Sequence, residues 1–138
     1  MNTKPMQKMV HDSYWPHDTN CAGTTLTVLS TLHDLPLDKQ VMQASIGMHG
    51  AGKFRAQCGL VEGTLMFLGM HGTARGKNPE AIASDCFEFA AAFTERFGSL
   101  SCKVLRPGGF TKNDAPHQCE GLTVEAITFA SAFIEGLE

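Results

Sequence analysis

The stretch NPEAIASDCFEFAAAFTERFG, residues 78–98, decides the fold. Asn78 is a good helix cap, because its side-chain oxygen can accept one of the N–H groups that a first turn leaves unpaired. Pro79 suits the first helical position, where its fixed φ is already helical and its missing N–H is not needed. Ile82, Cys86, Phe89, Ala90, Phe93 and Phe97 then recur at steps of one, three and four, which is one face of a helix and not the alternation of a strand. Gly98 can end the run in the left-handed conformation. The spacing therefore predicts a helix over 79–97.

The same reading extends in both directions. A last helix over about 119–135 turns Leu122, Ala126, Phe129, Ala130 and Phe133 inward. Upstream, a helix over about 56–70 carries the stripe Cys58, Val61, Leu65 and Leu68, and one over about 20–33 carries Ala22, Leu26 and Leu29 beside Cys21, Val28 and Leu32. Thr19 or Asn20 can cap the latter. Shorter helices are expected near 4–12, near 37–46 after the break at Pro36, and near 100–105 from Ser99 or Ser101. Ser13 to Pro16 reads as a turn, and 47–54 (GMHGAGKF), 71–78 (HGTARGKN) and 106–117 (RPGGFTKNDAPH) read as loops. The expectation is an all-α fold: one helical bundle of about five to six helices over 1–138, with 1–17 a loosely attached segment and the glycine-rich loop ahead of the central helix.

Composition narrows the function. The chain has 138 residues, 43% hydrophobic and 18% charged, enough to build a core. Its net charge of −3 gives no basic excess for phosphate backbones, so nucleic acid is not the expected partner. No apolar run approaches the ~20 residues of a membrane span, and MNTKPMQKMV lacks the apolar centre of a signal peptide. The expected address is cytoplasmic. Apolar faces on so small a bundle make a homodimer an expectation too.

Five cysteines stand out: Cys21, Cys58, Cys86, Cys102 and Cys119. The odd total argues against a fully paired disulfide framework, and no CxxC is present. Cys86 lies mid-helix among aromatic residues and reads as core packing. The other four each fall near the start of an expected helix, where unpaired N–H groups and the positive end of the helix dipole favour a thiolate. Core packing is the plain alternative for each taken singly. If those helix ends converge, four sulfurs meet, the number that a tetrahedral zinc or an iron–sulfur cluster needs.

In order, these residues are Asn20-Cys21-Ala22, a glycine-rich run from Gly47 to Gly52, Cys58-Gly59-Leu60-Val61-Glu62-Gly63, Phe97-Gly98-Ser99-Leu100-Ser101-Cys102, and Cys119 ahead of the last helix. As an ordered set over about 19–135, they resemble the C_GCAxxG_C_C family, a group of roughly this length regarded as redox-active. The chain departs from it at Leu60, where the family has alanine, and in carrying Lys53-Phe54-Arg55 after the glycine-rich run. The resemblance implies a four-cysteine redox or metal centre at Cys21, Cys58, Cys102 and Cys119. An iron–sulfur cluster, 2Fe–2S, working in electron transfer with an unknown partner protein is favoured. A thiol–disulfide protein using the same four cysteines and a structural zinc domain are the alternatives.

Glycines form the other part of the candidate site. Gly50 and Gly52 could turn backbone N–H groups toward a cofactor or anion, and a plain tight loop explains them equally well. Gly59 and Gly63 share one helix face and leave a groove for a backbone or a cofactor. Gly47-x-x-x-x-Gly52-Lys53 has the outline of a phosphate-binding loop, but Phe54 stands where a hydroxyl must bind Mg²⁺ and VMQASI before it reads as a helix end. None of the six histidines has helical metal-site spacing. His49 and His117 adjoin cysteines as potential accessory donors, with solvated loop residues the plainer reading. Glu62, one turn after Cys58, is a possible proton acceptor for its thiol, or simply a surface carboxylate.

Overall fold

The computed structural model describes residues 4–14, 20–105 and 120–137. Its elements are α1 (Lys4–Tyr14), α2 (Cys21–Leu32), α3 (Lys39–Ala44), α4 (Gly50–Lys53), α5 (Gly59–Ala74), α6 (Pro79–Phe97), α7 (Cys102–Leu105) and α8 (Glu120–Leu137). The fold is all-α, with eight helices among the described residues, more than the five to six expected. The unexpected piece is the single turn α4, in the segment 47–54 that reads as a loop. Among the described residues, the sole extended pairing is one antiparallel bridge between Gln57 and Ser101.

Central helix α5 is apolar around most of its circumference. Leu60, Val61, Phe67 and Leu68 are all buried, because α5 packs most extensively on α2 and also on α6 and α8. Helix α1 closes the other side against α2 and α8, with Val10 fully buried. Between α6 and α8 the contact is made by rings. Phe89 lies 5.4 Å from Phe133 and 6.1 Å from Phe129, centroid to centroid, and Phe97 lies 5.7 Å from Phe129. Such ring spacings are those of favourable tilted aromatic pairs.

Caps follow local chemistry. The Asn78 side chain accepts from Ala81 N at 2.8 Å, Pro79 occupies the first turn, and Gly98 ends α6 at φ 91°. Asn20, not Thr19, caps α2, accepting from Gly23 N at 2.8 Å. Buried hydroxyls turn back on their own helix: Thr25 donates to Cys21 O and Thr64 to Leu60 O. Such local bonds let threonine enter the core without an unpaired polar group.

Two expectations need correction. The loop expected over 71–78 is helix as far as Ala74. Gly72 there is buried against the Ile82 side chain of α6, so tertiary packing extends a segment whose composition reads as loop. Cys86 sits only half-buried at the edge of the core. The expectations over 13–16 and 106–117, and the start of the last helix at 119, lie wholly or partly outside the described residues.

Helices α2 and α5 run parallel. A β-carbon built on Gly59 would meet Cys21 Cβ, one on Gly63 would meet Thr25 Cβ, and His33 faces His71 at 6.1 Å between rings. Each pair is 38 residues apart in sequence, a constant register along the whole contact. A parallel pair puts both N-termini, with their unpaired N–H groups and positive dipole ends, at one end of the molecule.

Candidate thiol centre

Cys21 is the first residue of α2, Cys58 is the N-cap of α5, and Cys102 is the first residue of α7. The parallel register brings the first two helix starts together. Backbone pairing adds the third: Cys58 N–H donates to Leu100 O at 2.8 Å, and Cys102 N–H donates to Ala56 O at 2.7 Å, around the Gln57–Ser101 bridge. Cys58 and Cys102 are thus held across a short extended clasp.

Glycine makes the approach possible. An added β-carbon at Gly59 would stand 2.7 Å from Met48 O and 2.9 Å from Cys21 Cβ, closer than real side chains tolerate. At Gly63 it would stand 2.7 Å from Ala22 O. The groove anticipated along this face is filled by the α2 backbone. Gly50, at φ 72°, lies with its absent β-carbon 3.4 Å from Cys102 Cβ, whereas Gly52 borders open space.

The Cys58 thiol is buried, 5% exposed, and its pKa is pushed up from 9.0 to about 12. Burial is the chief cause. The N–H groups of Leu60 and Val61 in the first turn of α5 oppose it, and the neighbouring Cys21 and Cys102 thiols raise it further. The helix start does favour the thiolate as expected, but desolvation outweighs it. The coupling also shows that Cys21, Cys58 and Cys102 share one neighbourhood. Cys86 is not part of it; its thiol pKa is raised by burial and then by Asp85. Cys119 and His117 lie outside the described residues.

The shell around the thiols is organised by Asn20. Besides capping α2, its Nδ2 donates to Ile46 O at 2.8 Å and Ser45 O at 3.2 Å, and lies 3.2 Å from His49 Nδ1. One side chain therefore ties the helix bearing Cys21 to the glycine-rich segment. That segment is a left-handed turn: Gly50, Ala51, Gly52 and Lys53 have φ of 72°, 56°, 64° and 70°, and Arg55 follows at 73°. Its glycines were legible as a sign of unusual angles; the three non-glycine residues held there were not. The segment before it is α3, so the phosphate-loop outline has no strand behind it. Glu62 is partly buried and accepts from Gln57 Nε2, and burial raises its pKa.

Sequence spacing also missed His33 and His71. They meet at the opposite ends of α2 and α5, with Phe67 stacked on His71 and His33 Nε2 2.9 Å from Ser131 Oγ. Only the parallel register, invisible in local spacing, reveals the pair. A cleft of about 750 Å³ lies elsewhere, lined by Gln7 and His11 of α1, Arg96 of α6 and Glu120, Val124 and Glu125 of α8; none of the described cysteines lines it.

Three soft donors of one kind suit a thiophilic metal or an iron–sulfur cluster. Among the described residues, no group of three or more His, Cys, Asp or Glu side chains is already gathered to hold an ion. The donor chemistry fits such a centre.

A family profile described as "Putative redox-active protein (C_GCAxxG_C_C)" matches residues 19–133. No curated protein and no solved structure matches the chain. Among the described residues, no helix is long and apolar enough to cross a membrane.

Proposed function

The chain belongs to the C_GCAxxG_C_C family of redox-active proteins, and from that premise we propose that it is an electron-transfer protein whose centre is an iron–sulfur cluster, 2Fe–2S, ligated by Cys21, Cys58, Cys102 and Cys119. The observation that carries the reading is the meeting of three cysteines from three separate helix starts, set close by glycines that leave no room for a side chain. Bound there, the cluster would supply a one-electron couple. The chain's own residues would supply four sulfur ligands. The N–H groups of Leu60 and Val61 in the first turn of α5 favour negative charge on the Cys58 sulfur, and the parallel N-termini of α2 and α5 offset negative charge. Burial of Cys58 keeps water from its sulfur.

A second reading has an observation of its own. Among the described residues Cys58 neighbours both Cys21 and Cys102, and such a pair suits a dithiol that closes to a disulfide and gives two electrons and two protons to an oxidant. Purification without oxygen, followed by iron and sulfide analysis and a visible spectrum, separates the two. The cluster reading expects a brown protein with iron and sulfide in equal amounts. Cys58→Ser should lose both, while Cys86→Ala should keep both and lose only roughly 1 kcal/mol of stability. Colourless, iron-free protein whose thiol titre falls by two on oxidation would replace it with the dithiol reading; bound zinc with no redox change would leave only a structural centre.

A further inference from the structure

We propose that segments 46–54 and 102–105, beside the thiols, are the docking surface for an acidic redox protein, which meets Lys53 and Lys103 with carboxylates and Ile46, Phe54 and Val104 with an apolar patch. The inference rests on the redox reading above and names the partner of that same centre.

Five large hydrophobic side chains are exposed among the described residues, and three of them are here: Phe54 at 82%, Val104 at 67% and Ile46 at 66%. Each is tied to a cysteine by the backbone. Ile46 O accepts from Asn20, the residue before Cys21. Phe54 closes the left-handed turn whose Gly50 lies against Cys102 Cβ. Val104 is in α7, two residues past Cys102. Phe54 is flanked by Lys53 and Arg55, both at positive φ; non-glycine residues avoid that region unless surrounding structure holds them in it. The ring is therefore displayed against the chain's local preference.

Charge selects the partner. The protein carries −3 overall, yet no Asp or Glu occurs between Asp38 and Glu62 or from Arg96 to Leu105. Those stretches surround Cys58 and Cys102 and hold Lys39, Lys53, Arg55 and Lys103. Among the described residues, neither Lys53 nor Lys103 makes an ion pair, and the positive ends of α2 and α5 lie at the same pole. Cations around a small apolar centre attract and orient a partner of opposite sign while leaving release fast. An electron-transfer encounter needs that combination, with a small contact area.

Flavodoxin, a small acidic electron carrier, is the probe. It is titrated into the oxygen-free protein as purified, with binding read by calorimetry. Binding in the micromolar range that weakens steeply with salt is expected. Lys53→Glu with Lys103→Glu should weaken it about tenfold or more. Phe54→Ser should weaken it without changing the salt dependence, and the remote variant Arg75→Glu, at the end of α5 opposite the thiols, should weaken it only slightly. Absence of binding, or equal loss in the near and remote charge variants, overturns the docking surface. So does cosedimentation with phosphatidylglycerol–phosphatidylcholine vesicles that the near variant abolishes while flavodoxin does not bind, since the surface would then read lipid. Reduced methyl viologen, each molecule losing one electron to the centre, tests the underlying redox reading separately. A protein that takes no electron from it sinks that reading whatever the titration shows.

Discussion

Replacing Gly63 by alanine sets two well-measured tendencies against each other. Helix propensity favours alanine over glycine in a helix interior by about 1 kcal/mol, so sequence-local reasoning expects stabilisation. The structure expects the reverse. The new methyl would lie 2.7 Å from Ala22 O, 2.9 Å from Thr25 Cβ and 3.1 Å from Ala22 Cα. Two of these three atoms are α2 backbone, which cannot swing aside as a side-chain tip can. Overpacking of this kind costs typically about 1–3 kcal/mol, and more when rigid groups must shift. Set against the propensity gain, this leaves a net loss of up to about 2 kcal/mol. Gly69 provides the control: it lies in the same helix, and an added β-carbon there meets nothing within 4 Å. Gly69→Ala should therefore gain about 0.5–1 kcal/mol. Urea unfolding at unchanged m-value measures both. Widening the α2–α5 gap should also separate Cys21 from Cys58, so Gly63→Ala should disturb the thiol centre while Gly69→Ala leaves it alone. Equal stabilisation by both substitutions, with the centre unchanged in both, would refute the close helix pairing on which the site depends.

Three further outcomes follow from the geometry. Asn20→Ala and Asn78→Ala each remove a cap and should each cost about 1 kcal/mol; only Asn20→Ala, which also unties Ile46 and Ser45 from Cys21's helix, should change iron content or thiol titre. Ala51→Gly relieves a φ of 56° and should raise stability by about 0.5–1 kcal/mol in thermal or urea unfolding; a loss would show that the turn is not strained. In reduced, metal-free protein, the raised Cys58 pKa makes a stabilising contribution that is full below the unfolded value near 9.0 and is lost as pH rises toward about 12. Stability should therefore fall on the alkaline side more steeply in the parent than in Cys58→Ala, and identical pH profiles would refute the assignment.

The sequence by itself determined the long helices, except for the last turn of α5. Asn78, Pro79 and Gly98 mark α6 at both ends because caps are local: the atoms that satisfy a helix terminus sit within four residues of it. Asn20 marks α2 for the same reason. The cysteine positions at helix starts were legible too, and their order along the chain carried the family. What the tertiary structure alone decided is which helix ends meet. The parallel register of α2 and α5 depends on the absence of two side chains at Gly59 and Gly63, and their fit against Ala22 is a contact between segments some 40 residues apart. The clasp joining Cys58 to Cys102 is backbone pairing, which leaves no mark on residue identity. Tertiary burial also reversed the local expectation at Cys58. A helix start lowers a thiol's pKa, but removal from water raises it more, and how much water is removed depends on every element packed around the sulfur.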